Sequence, residues 1–331
     1  MPYPRLLVII FAMAVVVSSS RGQSQSPAPQ PSTTQQPASA LPTPSNAGPD
    51  AQGREPLVRV RTDEVSVVFT VVDKHGRFVR DLTQGQFRIL DNKLPPRQIV
   101  KFEAQTNLPL RVGLLIDAST SIRDKFKFEQ QAAMEFLQGT IKSQTDKAFV
   151  LSFDETWELT QDFTGDTDKL TTGVRMIKPG GSTALWDAIY WACREKLLKE
   201  HEAIPVRRAI IVVSDGDDNA SHVRPEEALD MAQRAEVIIY AVGTDLSMQT
   251  KGENNMKRMA EATGGRAFFP IKLDEVETAF FNIQEELRSQ YAVAYKPDQF
   301  INNGQFRQIQ IVASDKDFRV RAKKGYYVPK Q

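Results

Sequence analysis

The run Arg111-Val112-Gly113-Leu114-Leu115-Ile116-Asp117-Ala118-Ser119-Thr120-Ser121 constrains the fold of this chain more than any other stretch. An unbroken apolar segment of strand length, with no polar residue at alternate positions, marks a strand covered on both faces, as in a parallel sheet packed between helices. Here the strand stops on a carboxylate, and two hydroxyl residues follow at a spacing of two. In open α/β sheets, ligands bind outside the carboxyl ends of the strands. One carboxylate and two hydroxyls offer only oxygen atoms, which suit a hard cation such as Mg²⁺ better than zinc or copper. The same residues also read as a loop that caps the next helix through Ser or Asp. The rest of the chain has to decide between the two.

Residues 108–290 alternate strand and helix. A helix is expected from Lys125 to Lys142 with Phe128, Ala132 and Phe136 on one face, then a strand over Ala148–Phe153, with Thr156–Thr160 returning beside it. A helix from Thr183 to Glu200 follows, with Leu185, Ile189, Cys193 and Leu197 recurring every four residues as a core face. Next come a strand over 209–213, a helix over 225–235, a strand over 237–242, a helix through Met256–Ala262, a short strand over 266–269 and a helix over 274–288. This order predicts an α/β fold: a doubly wound, mostly parallel sheet of Rossmann-like type with helices on both faces.

β patterns flank this region. Val65–Val72 is β-branched, Arg77-Phe78-Val79 follows a turn at Asp73–Gly76, and Phe87–Leu90 and Gln98–Phe102 surround a turn at Asp91-Asn92. Strands over 290–295, 307–312 and 318–323 alternate before Gly325-Tyr326-Tyr327-Val328. Too few strands stand before residue 108 for an independent sandwich. The expectation is one accessory β-sandwich built from 57–106 and 289–329, with the α/β domain, 107–288, inserted into it; two separate β units are the alternative. Ahead of these, residues 1–20 have a basic start, a short apolar core and a small-residue end, the pattern of a secretory signal peptide. The apolar segment is shorter than the ~20 residues a bilayer span needs, so no membrane span is expected in the mature chain. Residues 21–56, rich in Pro, Ser and Gln, cannot bury enough apolar surface to order themselves and read as a linker. The protein is therefore expected to be exported, to the periplasm or outside the cell.

Several function classes are disfavoured. With 42 Lys+Arg against 41 Asp+Glu and no long basic run, nucleic acid is not an expected partner. The one cysteine, Cys193, excludes an internal disulfide framework and a cysteine-rich metal site, and its place on an apolar face reads as a buried thiol. His75, His201 and His222 fall in polar turns or helix ends. Neither Gly-x-Ser-x-Gly nor a phosphate-loop Gly-Lys-Ser/Thr occurs. Asp117 lacks the second Asp two residues on that an aspartyl phosphotransferase wants, because Ser119 stands there.

Two more loops share the edge of the sheet on which Asp117 lies. Pro179-Gly180-Gly181-Ser182-Thr183 opens a helix, with Ser182 its expected cap, and Ser214-Asp215-Gly216-Asp217-Asp218-Asn219 follows a buried strand, with Asp217 and Asp218 read as solvated. Together Asp117-x-Ser119-x-Ser121, Thr183 and Asp215 resemble the metal-ion-dependent adhesion site of von Willebrand factor type A (VWFA) domains, the fold also found in integrin I domains. The resemblance covers roughly residues 108–285. The β segment before it, Gly-Tyr-Tyr near the end and the export signal are similar to a bacterial family of exported VWFA-related proteins of unassigned function. The resemblance implies that Ser119, Ser121 and Thr183 give hydroxyl oxygens to a divalent cation, while Asp117 and Asp215 bind it directly or through water. It implies Mg²⁺ or Mn²⁺ ahead of Ca²⁺, and a protein partner presenting Asp or Glu to complete the ion's shell. The expected function is thus metal-dependent adhesion without catalysis. The alternatives are a metal-dependent hydrolase on the same scaffold and an α/β scaffold that has lost its metal.

Overall fold

The strand that ends on Asp117 is the centre of the sheet. In a computed structural model describing residues 64–104, 108–120, 126–200, 205–243, 250–301 and 303–328, Leu110–Asp117 forms β4, and all eight of its residues are buried. It pairs in parallel with β5 (Lys147–Phe153) on one side and β7 (Arg207–Ser214) on the other. Beyond β7 lie β8 (Val237–Gly243) and the short β9 (Ala267–Phe268), both parallel. The opposite edge is β6 (Trp157–Thr164), antiparallel to β5. The order β6-β5-β4-β7-β8-β9 reverses direction at β4. The crevice between the carboxyl ends of β4 and β7 is therefore the topological switch point where α/β sheets bind ligands.

Side chains of β4 alternate between two cores. Val112, Leu114 and Ile116 pack with residues of α1 (Phe126–Thr140), α2 (Thr167–Met176) and α6 (Leu273–Leu287). Leu115 faces the other way, toward α3 (Leu185–Trp191), α4 (Pro225–Arg234) and α5 (Lys251–Thr263). Burying a Leu, Ile or Val completely is worth about 2 kcal/mol, so this doubly covered strand is a rigid base for whatever stands at its end. The doubly wound, mostly parallel sheet expected from the sequence is the one observed.

Local differences have local causes. The helix expected over 183–200 is α3 followed by a π-helical turn at Ala192–Leu197, yet Leu185, Ile189, Cys193 and Leu197 are all fully buried as the four-residue recurrence predicts. Helix α2 was not expected, because Leu170 and Val174 are its only large buried apolar residues; it is started by Asp166, whose carboxylate accepts from the backbone N–H of Asp168 and Lys169 at 3.0 and 3.3 Å. Arg77–Val79 is not a strand but a single bridge, Val72 to Phe78.

The flanking β segments form two sheets that share one core. One has the order β12-β1-β10-β3, from Arg319–Ala322, Val65–Val72, Gln290–Lys296 and Gln98–Ala104; the other is β13-β11-β2, from Gly325–Tyr327, Phe306–Ala313 and Phe87–Asp91. Each sheet mixes strands from before and after the α/β region, which selects the single-sandwich alternative over two separate units. Inward residues Val67, Phe69 and Val71 of β1 and Tyr291, Val293 and Tyr295 of β10 meet Ile89, Ile309 and Ile311 of the second sheet. Phe69 stacks on Tyr291 at 5.4 Å and meets Phe87 edge-on at 5.1 Å. The buried Asp91 carboxylate accepts from Arg307 Nε (2.7 Å), Tyr326 OH (2.8 Å) and Tyr295 OH (3.0 Å), closing the sandwich at one end.

Residues 1–63, which carry the expected signal peptide and linker, lie outside the described residues, as do Ser121 and His201. Among the described residues no helix is long and apolar enough to cross a membrane.

Candidate metal site

Asp117 is the last residue of β4 and is completely buried. Its Oδ1 accepts from the backbone N–H of Ser119 at 2.8 Å, and its Oδ2 from the hydroxyl of Ser214 at 2.5 Å. Register explains the second bond. Ile116 pairs with Val213, so the next residue on each strand, Asp117 and Ser214, face one another across the switch point. Ser214 Oγ in turn accepts from Gly216 N–H at 2.9 Å. Burial pushes the Asp117 carboxyl up to about 6; hydrogen bonds from Ser214 and Ser119 oppose the shift, and the neighbouring Asp215 charge adds to it.

Asp215 is half-buried, and its Oδ1 accepts from Asp217 N–H at 3.0 Å. The turn behind it is set by Gly216, at φ +80°, where a Cβ would lie 2.3 Å from the carbonyl oxygen of Gly252. Gly252 is in the first turn of α5, and a Cβ there would lie 2.2 Å from the Asp215 carbonyl oxygen. Two glycines thus let a helix end press directly on the loop that carries Asp215, and Asn255 Nδ2 donates to the Gly216 carbonyl at 3.0 Å.

The third loop is strapped to both of the others by its backbone. Gly180 N–H donates to the Ala118 carbonyl (2.5 Å) and Thr120 N–H to the Gly181 carbonyl (3.3 Å). Thr183 N–H donates to Asn219 Oδ1 at 2.9 Å, while Asn219 and Ala220 N–H both donate back to the Thr183 carbonyl at 3.0 Å. Thr183 is buried, and its hydroxyl makes no hydrogen bond among the described residues. Ser119 is also buried.

The start of α3 corrects two expectations. Ser182 is exposed and does not cap the helix, whose N-cap position is Ala184 with no side-chain bond. The cap comes from the other loop: Asp218 Oδ1 accepts from Leu185 N–H at 3.0 Å, and Ser221 Oγ from Trp186 and Asp187 N–H at 3.0 and 3.2 Å. Asp218 is thus a half-buried cap, also accepting from the Ser221 hydroxyl at 2.6 Å, while Asp217 is exposed as expected. Sequence reasoning also passed over Ser214, Asn219 and Ser221. A small polar residue after a strand carries no signal until the partner strand's register is known.

Three remote segments therefore meet at one end of one sheet. Asp117 and Asp215 sit close enough to repel each other, Ser119 and Ser214 surround the first, and Thr183 is held on the adjoining loop. Among the described residues no group of three or more His, Cys, Asp or Glu could hold a metal. A cation here must rely on hydroxyls as well as on two carboxylates. The donors present fit one of the hard, oxygen-preferring kind: a fully buried carboxylate repelled by a second, and a threonine hydroxyl with no hydrogen bond of its own among the described residues.

The description "von Willebrand factor type A domain" belongs to the family model that matches residues 112–283. Solved structures of similar fold include proximal thread matrix protein 1 from the mussel byssus (15% identity, TM-score 0.48, 59% of this chain and 50% of that one). The PilB minor pilin from Streptococcus sanguinis is similar at 10% identity and a TM-score of 0.43, over 60% of this chain and 63% of the pilin. The conserved hypothetical protein BatB from Bacteroides thetaiotaomicron is matched over its whole length, 100%, and 54% of this chain, at 18% identity and a TM-score of 0.44. This chain spans 63% and 50% of the lengths of the pilin and the mussel protein. No curated protein matches the chain. With more than half of its length matched by the family model, the chain belongs to the von Willebrand factor type A domain family.

Proposed function

We propose that this protein is an exported, non-enzymatic binding protein that holds a divalent cation at Asp117, Ser119, Ser121, Thr183 and Asp215 and uses it to engage an acidic group on a protein partner. The observation that carries this reading is the pairing of Asp117 with Ser214 at the switch point, with Asp215 alongside. Mg²⁺ or Mn²⁺ is the ion this donor set favours. When bound, such an ion supplies positive charge that neutral hydroxyls leave poorly compensated, so an outside carboxylate is attracted to it. The chain's own residues prepare the site. Ser119 N–H and the Ser214 hydroxyl hold the Asp117 carboxylate in one orientation, and Asn219 holds the Thr183 backbone. Export rests on the pattern of residues 1–20, and the division of the chain into signal peptide (1–20), linker (21–56), sandwich (57–106 with 289–329) and VWFA domain (107–288) belongs to the same proposal.

Partner capture from the envelope of the source cells tests it. Capture by the intact protein is expected in Mg²⁺ and lost in excess chelator, and Asp117→Ala is expected to lose it without change in the circular dichroism of the fold. Equal capture in chelator would sink the reading. Turnover of phosphate or carboxylate esters by the metal-loaded protein above that of Asp117→Ala would show an enzyme instead.

A further inference from the structure

A pocket of about 340 Å³ opens beside the oxygen-rich loops, between the carboxyl ends of β4 and β5, the start of β6 and the end of α2. Its lining includes Ala118, Ser152, Asp154, Glu158, Met176 and Lys178. Ala118 directly follows Asp117, and its N–H donates to the Phe153 carbonyl at 2.7 Å, so the pocket begins one residue from the candidate cation site. Register sets the floor and one wall. Ser152 and Glu158 are partners across β5 and β6, so their side chains rise on the same face of the sheet. It is the face on which Val150 packs with α1 and α2.

The acceptors of this pocket are largely unspent. Ser152 is only 7% exposed, yet its hydroxyl makes no hydrogen bond among the described residues. Asp154 commits Oδ1 to the Thr156 N–H at 2.9 Å and hydroxyl at 3.4 Å, while its Oδ2 accepts nothing among the described residues. The exposed Glu158 side chain makes no ion pair or hydrogen bond there either. Lys178 is exposed just past the carboxyl end of α2, where its ammonium offsets the negative end of the helix dipole; it pairs with neither carboxylate. Two carboxylates and a nearly buried hydroxyl thus stand against one ammonium. Leaving such a hydroxyl unpaired is costly unless a polar group enters. Met176 is exposed beside them and offers an unbranched apolar surface. An aliphatic stem that ends in N–H donors suits both parts, with the stem along Met176 and the head among the acceptors.

We propose that this pocket receives a lysine or arginine side chain of the partner, its head held by Ser152, Asp154 and Glu158 and its stem by Met176. An extended segment advances about 3.3 Å per residue, so the basic residue stands roughly one to three positions from the acid that meets the ion. That placement beside an ion-bound acid rests on the function proposed above; the preference of the pocket for a cation stands without it.

Titration of the isotope-labelled full chain with N-acetylargininamide, followed by amide NMR in excess chelator, tests the pocket apart from the ion. Saturable shifts are expected at Ser152, Thr156 and Glu158, and none with the neutral N-acetylglutaminamide. Glu158→Gln should weaken binding about threefold, the scale of an exposed ion pair, and Lys178→Gln should strengthen it by removing a like charge. Both side chains make no bonds among the described residues, so neither change threatens the fold. Absence of saturable shifts, equal shifts with the glutamine amide, or indifference to both substitutions would overturn the pocket whatever the ion does. Capture from the envelope in Mg²⁺ tests the partner: Glu158→Gln should weaken capture and leave it sensitive to chelator. Capture indifferent to Glu158→Gln would overturn the paired basic residue. Capture indifferent to chelator, with argininamide still bound, would overturn the cation reading instead.

Discussion

At the scale of single residues, much rests on a hydroxyl. Ser214 donates to Asp117 Oδ2 and accepts from Gly216 N–H, so Ser214→Ala leaves a buried carboxylate short of a donor and a backbone N–H short of an acceptor. A loss of about 1–3 kcal/mol is expected in urea denaturation, together with weaker Mg²⁺ binding by titration. Asp117, Ser119 and Asp215 could be singled out as candidates in the sequence because each ends or follows a recognisable strand, and Thr183 because its loop opens a recognisable helix. Ser214 could not, since its importance comes from lying opposite Asp117 across a parallel pair 97 positions apart in the chain. Cys193 is the contrasting case. Its recurrence with Leu185, Ile189 and Leu197 already marked it as buried, and burial pushes its thiol pKa well up. A thiol whose pKa is raised stays protonated and unreactive at neutral pH. Cys193 is therefore expected to resist a chromogenic disulfide reagent in the native protein at mildly alkaline pH and to react fully in denaturant; rapid native labelling would contradict the packing described.

At the scale of elements, the contact between the Asp215 loop and α5 gives a sharper test. Gly216→Ala forces a Cβ onto the Gly252 carbonyl at a positive φ, so backbone has to move. A destabilisation of more than about 1 kcal/mol is expected, with Mg²⁺ affinity falling because Asp215 shifts with the loop. Gly180→Ala is the control: nothing lies within 4 Å of its Cβ, and denaturation midpoints should barely change. Strongly patterned elements were the legible ones. β4, β5, β7 and β8 are continuous apolar runs, and α1 and α6 have apolar faces. Helix α2 was hidden because only Leu170 and Val174 are large buried apolar residues in its ten positions, so its formation depends on the Asp166 cap and on packing. The capping of α3 was misread for a related reason: Ser182 stands next to the helix in sequence, but Asp218 and Ser221 stand next to it in space.

At the scale of the whole molecule, the chain leaves the sandwich after β3, builds the α/β sheet and returns to pair β10 with β1 and β11 with β2. Asp91 joins the two halves, since all three of its side-chain partners, Tyr295, Arg307 and Tyr326, lie more than 200 positions later. Asp91→Ala leaves Arg307 without its carboxylate in a half-buried setting, and a loss of about 3–5 kcal/mol is expected. Hydrogen exchange should show protection falling in both sandwich sheets together; loss confined to β2 would mean that the halves are stabilised separately. By itself, the sequence determined the α/β class, the order of the main elements and the loops that carry oxygen side chains to strand ends, because side-chain periodicity is written locally along the chain. Only the tertiary structure decided that early and late β segments interleave, that Ser214 faces Asp117 and that Asp218 caps a distant helix. Those are matters of register and of pairing across long loops, where the free energy comes from partners that no local pattern names.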